Sequence, residues 1–101
     1  MNERQILLSI IAPPAVEDSM VDWLLACGEV TGFTSIPVSG HGSSARSMSL
    51  AEQVAGRQRK ILFQTHLPEP LALQLVERLK GEFSDCGIHY WLTPLLGAGR
   101  T

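Results

Sequence analysis

Cysteine is nearly missing from this chain of 101 residues: Cys27 and Cys86 are the whole supply. They form neither a CxxC pair nor a paired framework, so free buried thiols are expected in preference to a disulfide. Charge is sparse too, with 18% charged residues and a net charge of −2. That balance gives no general attraction to nucleic acid or an anionic membrane, so any positive potential has to act locally. Long apolar runs are lacking, since none approaches the ~20 residues that span a bilayer. The N-terminal MNERQ also lacks the basic region and cleavage site of a signal peptide. We therefore expect a cytoplasmic chain with no membrane insertion. No repeat and no dividing linker is visible, and a length below roughly 150 residues supports one domain, 1–101, around one core.

Apolar residues, by contrast, are plentiful at 45%, which argues for a folded chain. Gln5 to Ile11 reads as a strand that is apolar on both faces, Ile6, Leu8 and Ile10 on one and Leu7 and Ile11 on the other, and so belongs in the middle of a sheet. After Pro13 and Pro14, the residues Val16, Met20, Trp23, Leu24 and Cys27 recur at helical spacing. Glu17 and Asp18 suit the N-terminus of that helix and Gly28 its C-terminus. Phe33 to Ser39 is a second strand, and Pro37, which cannot donate to a ladder, favours an edge position or a bulge for it. Arg59 to Leu67 is a third strand, again apolar on both faces, with Ile61, Phe63 and Leu67 against Leu62. Ala72, Leu75, Val76, Leu79 and Phe83 make a second helical stripe that closes near Gly87. Ile88 to Leu95 is a fourth strand, and GAGRT is a tail.

The order βαββαβ predicts an α+β, ferredoxin-like fold: an antiparallel four-stranded sheet of order 4-1-3-2 with two helices on one face. Leu7, Ile11, Leu62 and Trp91 then form an apolar second face, and a further subunit is the economical cover for it, the alternative being that these side chains are simply partly exposed. The connection from about His41 to Gly56 far exceeds a normal hairpin loop, which implies that it has a job. Within it, Ser49 to Glu52 has the form of a capping box, and Gly56 can end a short helix there.

The chemistry-bearing residues gather around this connection. Gly40, His41, Gly42, Ser43 and Ser44 supply two glycines that let backbone amides converge on an anion, and two hydroxyls that can donate. Half of the eight basic residues, Arg46, Arg57, Arg59 and Lys60, lie in or just beyond the same stretch. A solvated loop would explain these charges as well. His41, Cys86 and His89 are candidate ligands for a transition metal, Cys86 and His89 having the separation of a chelating pair, although a turn need not make them converge. An enzyme would need a nucleophile beside an oriented base; Ser43 or Ser44 near His41 lacks an acidic orienter, and no enzymatic activity is expected.

With the βαββαβ order in place, GFTSIPVSGHGSS and SLAEQVAGRQRKILFQ resemble the PII-like superfamily of signalling proteins, and more closely a group commonly encoded beside heavy-metal efflux pumps. The likeness runs over nearly the whole chain. It implies a homotrimer whose second sheet faces line the centre, and a ligand cleft between subunits with Gly40, His41, Gly42 and Ser43 at the base of a T-loop-like connection. It also implies Arg100 as a counterpart of the basic C-terminal segment, and a membrane transporter of the metal-efflux kind as partner. Two features depart from the pattern. Where classical members hold nucleotide phosphates with a basic glycine-rich loop, this chain has the acidic GEFSDCG, Gly81 to Gly87, which speaks against ATP. Tyr90 is the sole tyrosine and lies outside the long connection, so nucleotidylation there is unsupported. The ligand is thus expected to be a small anion or nucleotide, or a transition metal. An alternative resemblance, to the CutA family of cation-tolerance proteins, implies a metal-binding role instead.

Overall fold

A computed structural model describes residues 3–42 and 57–101. Strand β1 (Gln5–Ala12) leads through a 3-10 turn at Pro14–Val16 into helix α1 (Glu17–Ala26). β2 (Thr34–Gly40) and β3 (Gln58–Pro68) follow, then helix α2 (Glu69–Glu82) and β4 (His89–Leu95). All neighbours pair antiparallel in the order β2-β3-β1-β4. This is the expected 4-1-3-2 arrangement, with strand ends shifted by one residue. β2, carrying Pro37, and β4, carrying Pro94, are the two edges.

Both helices cover one face of the sheet. Ile6, Leu8, Ile10 and Ala12 of β1 lie opposite Leu67, Thr65, Phe63 and Ile61 of β3, and all eight are buried. Met20 and Leu24 of α1, and Ala72, Leu75, Val76 and Leu79 of α2, complete this core. Trp23 and Phe83 close it between the helix ends in an edge-to-face contact with centroids 5.5 Å apart. The Thr65 hydroxyl donates to the Gly32 carbonyl at 2.7 Å, tying the entry to β2 onto β3.

Glu17 and Asp18 occupy the first turn of α1 as expected, where they complement the positive end of the helix. The other end differs from the expectation. Cys27 takes the C-cap, its amide donating to the Trp23 and Leu24 carbonyls, and Gly28 is not in the left-handed region. Among the described residues that conformation falls at Asp85 (φ 59°) and Gly87 (φ 72°), in the turn between α2 and β4. The chain has to reverse within residues 83–88, and the strain-free left-handed residue is used there. The expected short helix over Ser49 to Gly56 lies outside the described residues.

The second face of the sheet is not the apolar surface the alternation suggested. Leu7, Ile11, Leu62 and Trp91 do share it, joined by Ile36 and Val38, but polar rows run between them. One row reads Thr34, Gln64, Ser9 and Trp91 across the four strands. Ser9 is fully buried within it, its Oγ accepting from Gln64 Nε2 at 3.2 Å. Trp91 remains 47% exposed and Ile36 40% exposed. Counting only the apolar residues of QILLSII overlooks that Ser9 has the same parity as Leu7 and Ile11.

Candidate functional site

At one end of the sheet the C-terminal ends of β1 and β2 meet the N-terminal ends of β3 and β4, and a cleft of about 580 Å³ opens there. Its walls include Gly40, His41 and Gly42 at the start of the long β2–β3 connection, Lys60 and Gln58 on β3, and Ile11 on β1. Cys86, Gly87 and His89 close it from the α2–β4 turn. The positive φ of Gly87 turns the chain into β4, and a Cβ there would stand 3.6 Å from the Pro13 ring. Gly40 has a packing reason as well: a Cβ on it would lie 3.2 Å from Lys60 Cγ, so its lack of a side chain lets the lysine stem lie close against β2.

The sequence candidates divide between two places. Gly40, His41 and Gly42 share the first cleft with Cys86 and His89, residues more than forty positions away in the chain. Arg57 and Arg59 line a second cleft, of about 600 Å³, with Ser39, Pro37, Glu17 and Lys60. The reason is the pleat: Arg59 lies opposite Ser39 on the helix side of the sheet, whereas Lys60 lies opposite Val38 on the open side. Lys60 borders both clefts. In the sequence it is one member of a basic run, and the period-2 alternation is the signal that separates it from its neighbours. Arg100 lies beside Gly32, beyond the far end of β2, so the length of that strand, about 20 Å by its rise per residue, separates it from Gly40; one chain does not bring it to the cleft. Ser43 and Ser44 lie outside the described residues.

Electrostatically the sheet is one-sided. None of the four strands contains an aspartate or glutamate, while they carry Arg59, Lys60, His66 and His89. Among the described residues, none that lines the first cleft is acidic. Such a setting favours an anionic ligand over a bare cation. Among the described residues, no group of three or more His, Cys, Asp or Glu side chains is arranged to hold a metal ion, so sharing the cleft does not make His41, Cys86 and His89 a ligand set. Both cysteines are free, as expected, but only Cys27 is buried; Cys86 sits at the cleft, half-exposed. Cys27 is capped by Arg78, whose Nη2 donates to Sγ at 2.9 Å while Nη1 pairs with Glu29. Burial pushes the Cys27 thiol up, with Arg78 opposing that shift.

The architecture is that of the PII-like proteins. Solved structures with a similar fold include CPII, a nitrogen regulatory PII-like protein from Thiomonas intermedia K12 bound to ADP, AMP and bicarbonate. That structure is 24% identical at a TM-score of 0.72, over 97% of this chain and 96% of that one. A putative PII-like signalling protein from Thermus thermophilus is 21% identical at a TM-score of 0.67, over 92% and 88%. More particularly, the model of the family described as "Protein of unknown function (DUF3240)" matches residues 2–101, and the chain belongs to that family. A DUF3240 family protein from Shewanella baltica OS155 superposes at a TM-score of 0.79 and 21% identity, over 100% and 99% of the two chains. No curated protein matches the chain by sequence. Among the described residues no helix is long and apolar enough to cross a membrane.

Proposed function

We propose that this protein is a non-enzymatic PII-like regulator that binds a small anion or a nucleotide in the first cleft and reports it through the β2–β3 connection. The observation that carries this reading is the position of Lys60: a cation in a cleft with no acid among its described lining residues, packed against Gly40 at the base of that connection. A ligand seated there touches the residues from which the long connection departs, and different affinities for two arrangements of that connection would bias one of them. The PII-like relatives support a regulatory role, and the ligands seen in CPII make AMP, ADP and bicarbonate the first to try. The acidic α2–β4 turn, with Glu82 and Asp85 and no base between Gly81 and Gly87, still speaks against a triphosphate.

In this reading three copies pack their open sheet faces together, and the neighbour's C-terminal segment brings Arg100 toward the cleft. The connection then contacts a transporter or another protein, with heavy-metal efflux as the setting. The test is a calorimetric titration with AMP, ADP, bicarbonate and phosphate. At least one is expected to bind, and Lys60→Gln is expected to weaken it roughly tenfold, the order of one charge-assisted hydrogen bond. Absence of binding by all four rejects the anion site.

The meeting of His41, Cys86 and His89 at the same cleft favours a second reading, a CutA-like metal-binding protein whose donor set is completed by another copy. Titration with Zn, Cu, Ni and Co separates the two. Metal uptake lost in Cys86→Ala supports this second reading, and no uptake by the wild type disposes of it.

A further inference from the structure

We propose that the cleft on the helix side of β2 is a second, separate anion site, built for a phosphoryl dianion and in particular for the head of a small phosphomonoester. It stands whether or not the first cleft is filled. The cleft holds about 600 Å³, and its polar lining is Ser39, Arg57, Arg59, Lys60 and Glu17.

Charge sets the valence of the ligand. Among the described residues the first cleft is lined by a single lysine or arginine, Lys60. The second has three, Arg57, Arg59 and Lys60, against the one carboxylate of Glu17, which leaves an excess of two positive charges. Asp18, next in the same helix turn, does not line it. A chain of net charge −2 therefore concentrates the opposite sign here, and a dianion neutralises the excess where a monoanion leaves half of it.

Two of the three cations are arginines. A guanidinium fork matches phosphoryl oxygens in pairs, which the point charge of a lysine does not. The pleat collects them: Arg59 lies opposite Ser39 on the helix side, and Arg57 lines the same cleft, while Gln58 between them lines the first one. The Ser39 hydroxyl adds a further donor.

The rest of the lining is apolar and stiff. Pro37 and Ile61 stand opposite each other on β2 and β3, and Pro14 opens the 3-10 turn that leads into α1. Both proline rings fix φ, so this wall needs little ordering when a ligand arrives. A bare inorganic anion leaves the wall wet, whereas the organic part of a phosphomonoester covers it, which favours the ester over free phosphate.

NMR of the full chain labelled with nitrogen-15, titrated with inorganic phosphate and with phenyl phosphate, tests this. The titrations are run at one ionic strength and about pH 8, where the phosphoryl group carries both charges. Each probe is expected to move the amide signals of Val38, Ser39 and Ile61 along a saturating curve, phenyl phosphate at a severalfold lower concentration. In Arg57→Gln/Arg59→Gln both affinities are expected to fall roughly a hundredfold, about tenfold for each charge-assisted contact. Lys60→Gln does not discriminate, because Lys60 borders both clefts. Circular dichroism checks that the variant is folded; if it is not, Arg57→Gln alone replaces it, since Arg57 is exposed and precedes β3, with roughly a tenfold loss expected. Saturating shifts confined to Gly42, Gly87 and His89, and unmoved by the arginine variant, overturn this inference and leave the proposed function standing. The absence of saturating shifts with both probes also overturns it, and leaves the first cleft to AMP, ADP and bicarbonate. Equal affinity for the two probes overturns the assignment to an ester.

Discussion

Phe63 and Leu62 are consecutive residues of β3, yet one lies sealed beneath two helices and the other half-exposed on the far side of the sheet. The helix side is continuous: Leu8, Ile10, Phe63, Met20, Leu24 and Leu75 touch in a single cluster with at most 1% of any of them exposed. The open side is a patchwork in which Leu7 is separated from the Ile11–Leu62 pair by the Ser9–Gln64 hydrogen bond. A surface meant only to exclude water has no use for that buried hydrogen bond. A surface that must meet a partner in one register does, because a polar row is matched in few alignments. The contrast teaches that the helix side is built for folding, while the open side carries a polar row that a close-packed core would not need.

The largest effect that would break this contrast comes from the adjacent pair. Phe63→Ala is expected to cost about 3–5 kcal/mol of unfolding free energy. Leu62→Ala, measured at concentrations too dilute for assembly, is expected to stay within about 1 kcal/mol of the wild type. Urea unfolding of the two variants checks both; equal losses would mean that the open side is part of the core.

Cys27 gives a smaller effect. Its thiol is held above the ordinary range by burial, so the native chain favours the protonated form more than the unfolded chain does. That contribution is complete below the unfolded thiol's pKa of roughly 8.5 and is lost as pH rises through the higher folded value. The urea midpoint is therefore expected to fall more steeply with rising alkaline pH in the wild type than in Cys27→Ala. Half-buried Cys86 should meanwhile react with a thiol reagent before Cys27.

Gly40→Ala should have the smallest effect on stability. The added methyl meets the flexible Lys60 stem at 3.2 Å, so the stability is expected to shift by less than about 1 kcal/mol while Lys60 is displaced. In the titrations above this variant should lose affinity for whichever anion binds. Unchanged affinity would separate Gly40 from the lysine's placement.

Much of this fold was legible in the sequence because its signals were redundant. QILLSII, KILFQTHL and the Leu75–Leu79 stripe each carry the right period over a full element, and Pro37 marked an edge without any reference to partners. The interior of the open face was less legible. A serine within an aliphatic run signals nothing until the register shows that Gln64 stands opposite it.

The candidate site was legible only in part, for the same reason. Gly40, His41 and Gly42 announced themselves as a local cluster, but their meeting with Cys86 and His89 depends on the crossing of four strands, which local pattern does not contain. The basic run Arg57 to Lys60 looked like one patch, and the pleat divides it between two clefts.

The prolines of the two outer strands also bear on how copies can associate. Pro37 and Pro94 each remove a backbone donor from a margin where another strand would otherwise zip on. Growth sideways into an endless ribbon is thereby discouraged at both borders. A second strand laid along either border would find its ladder interrupted there.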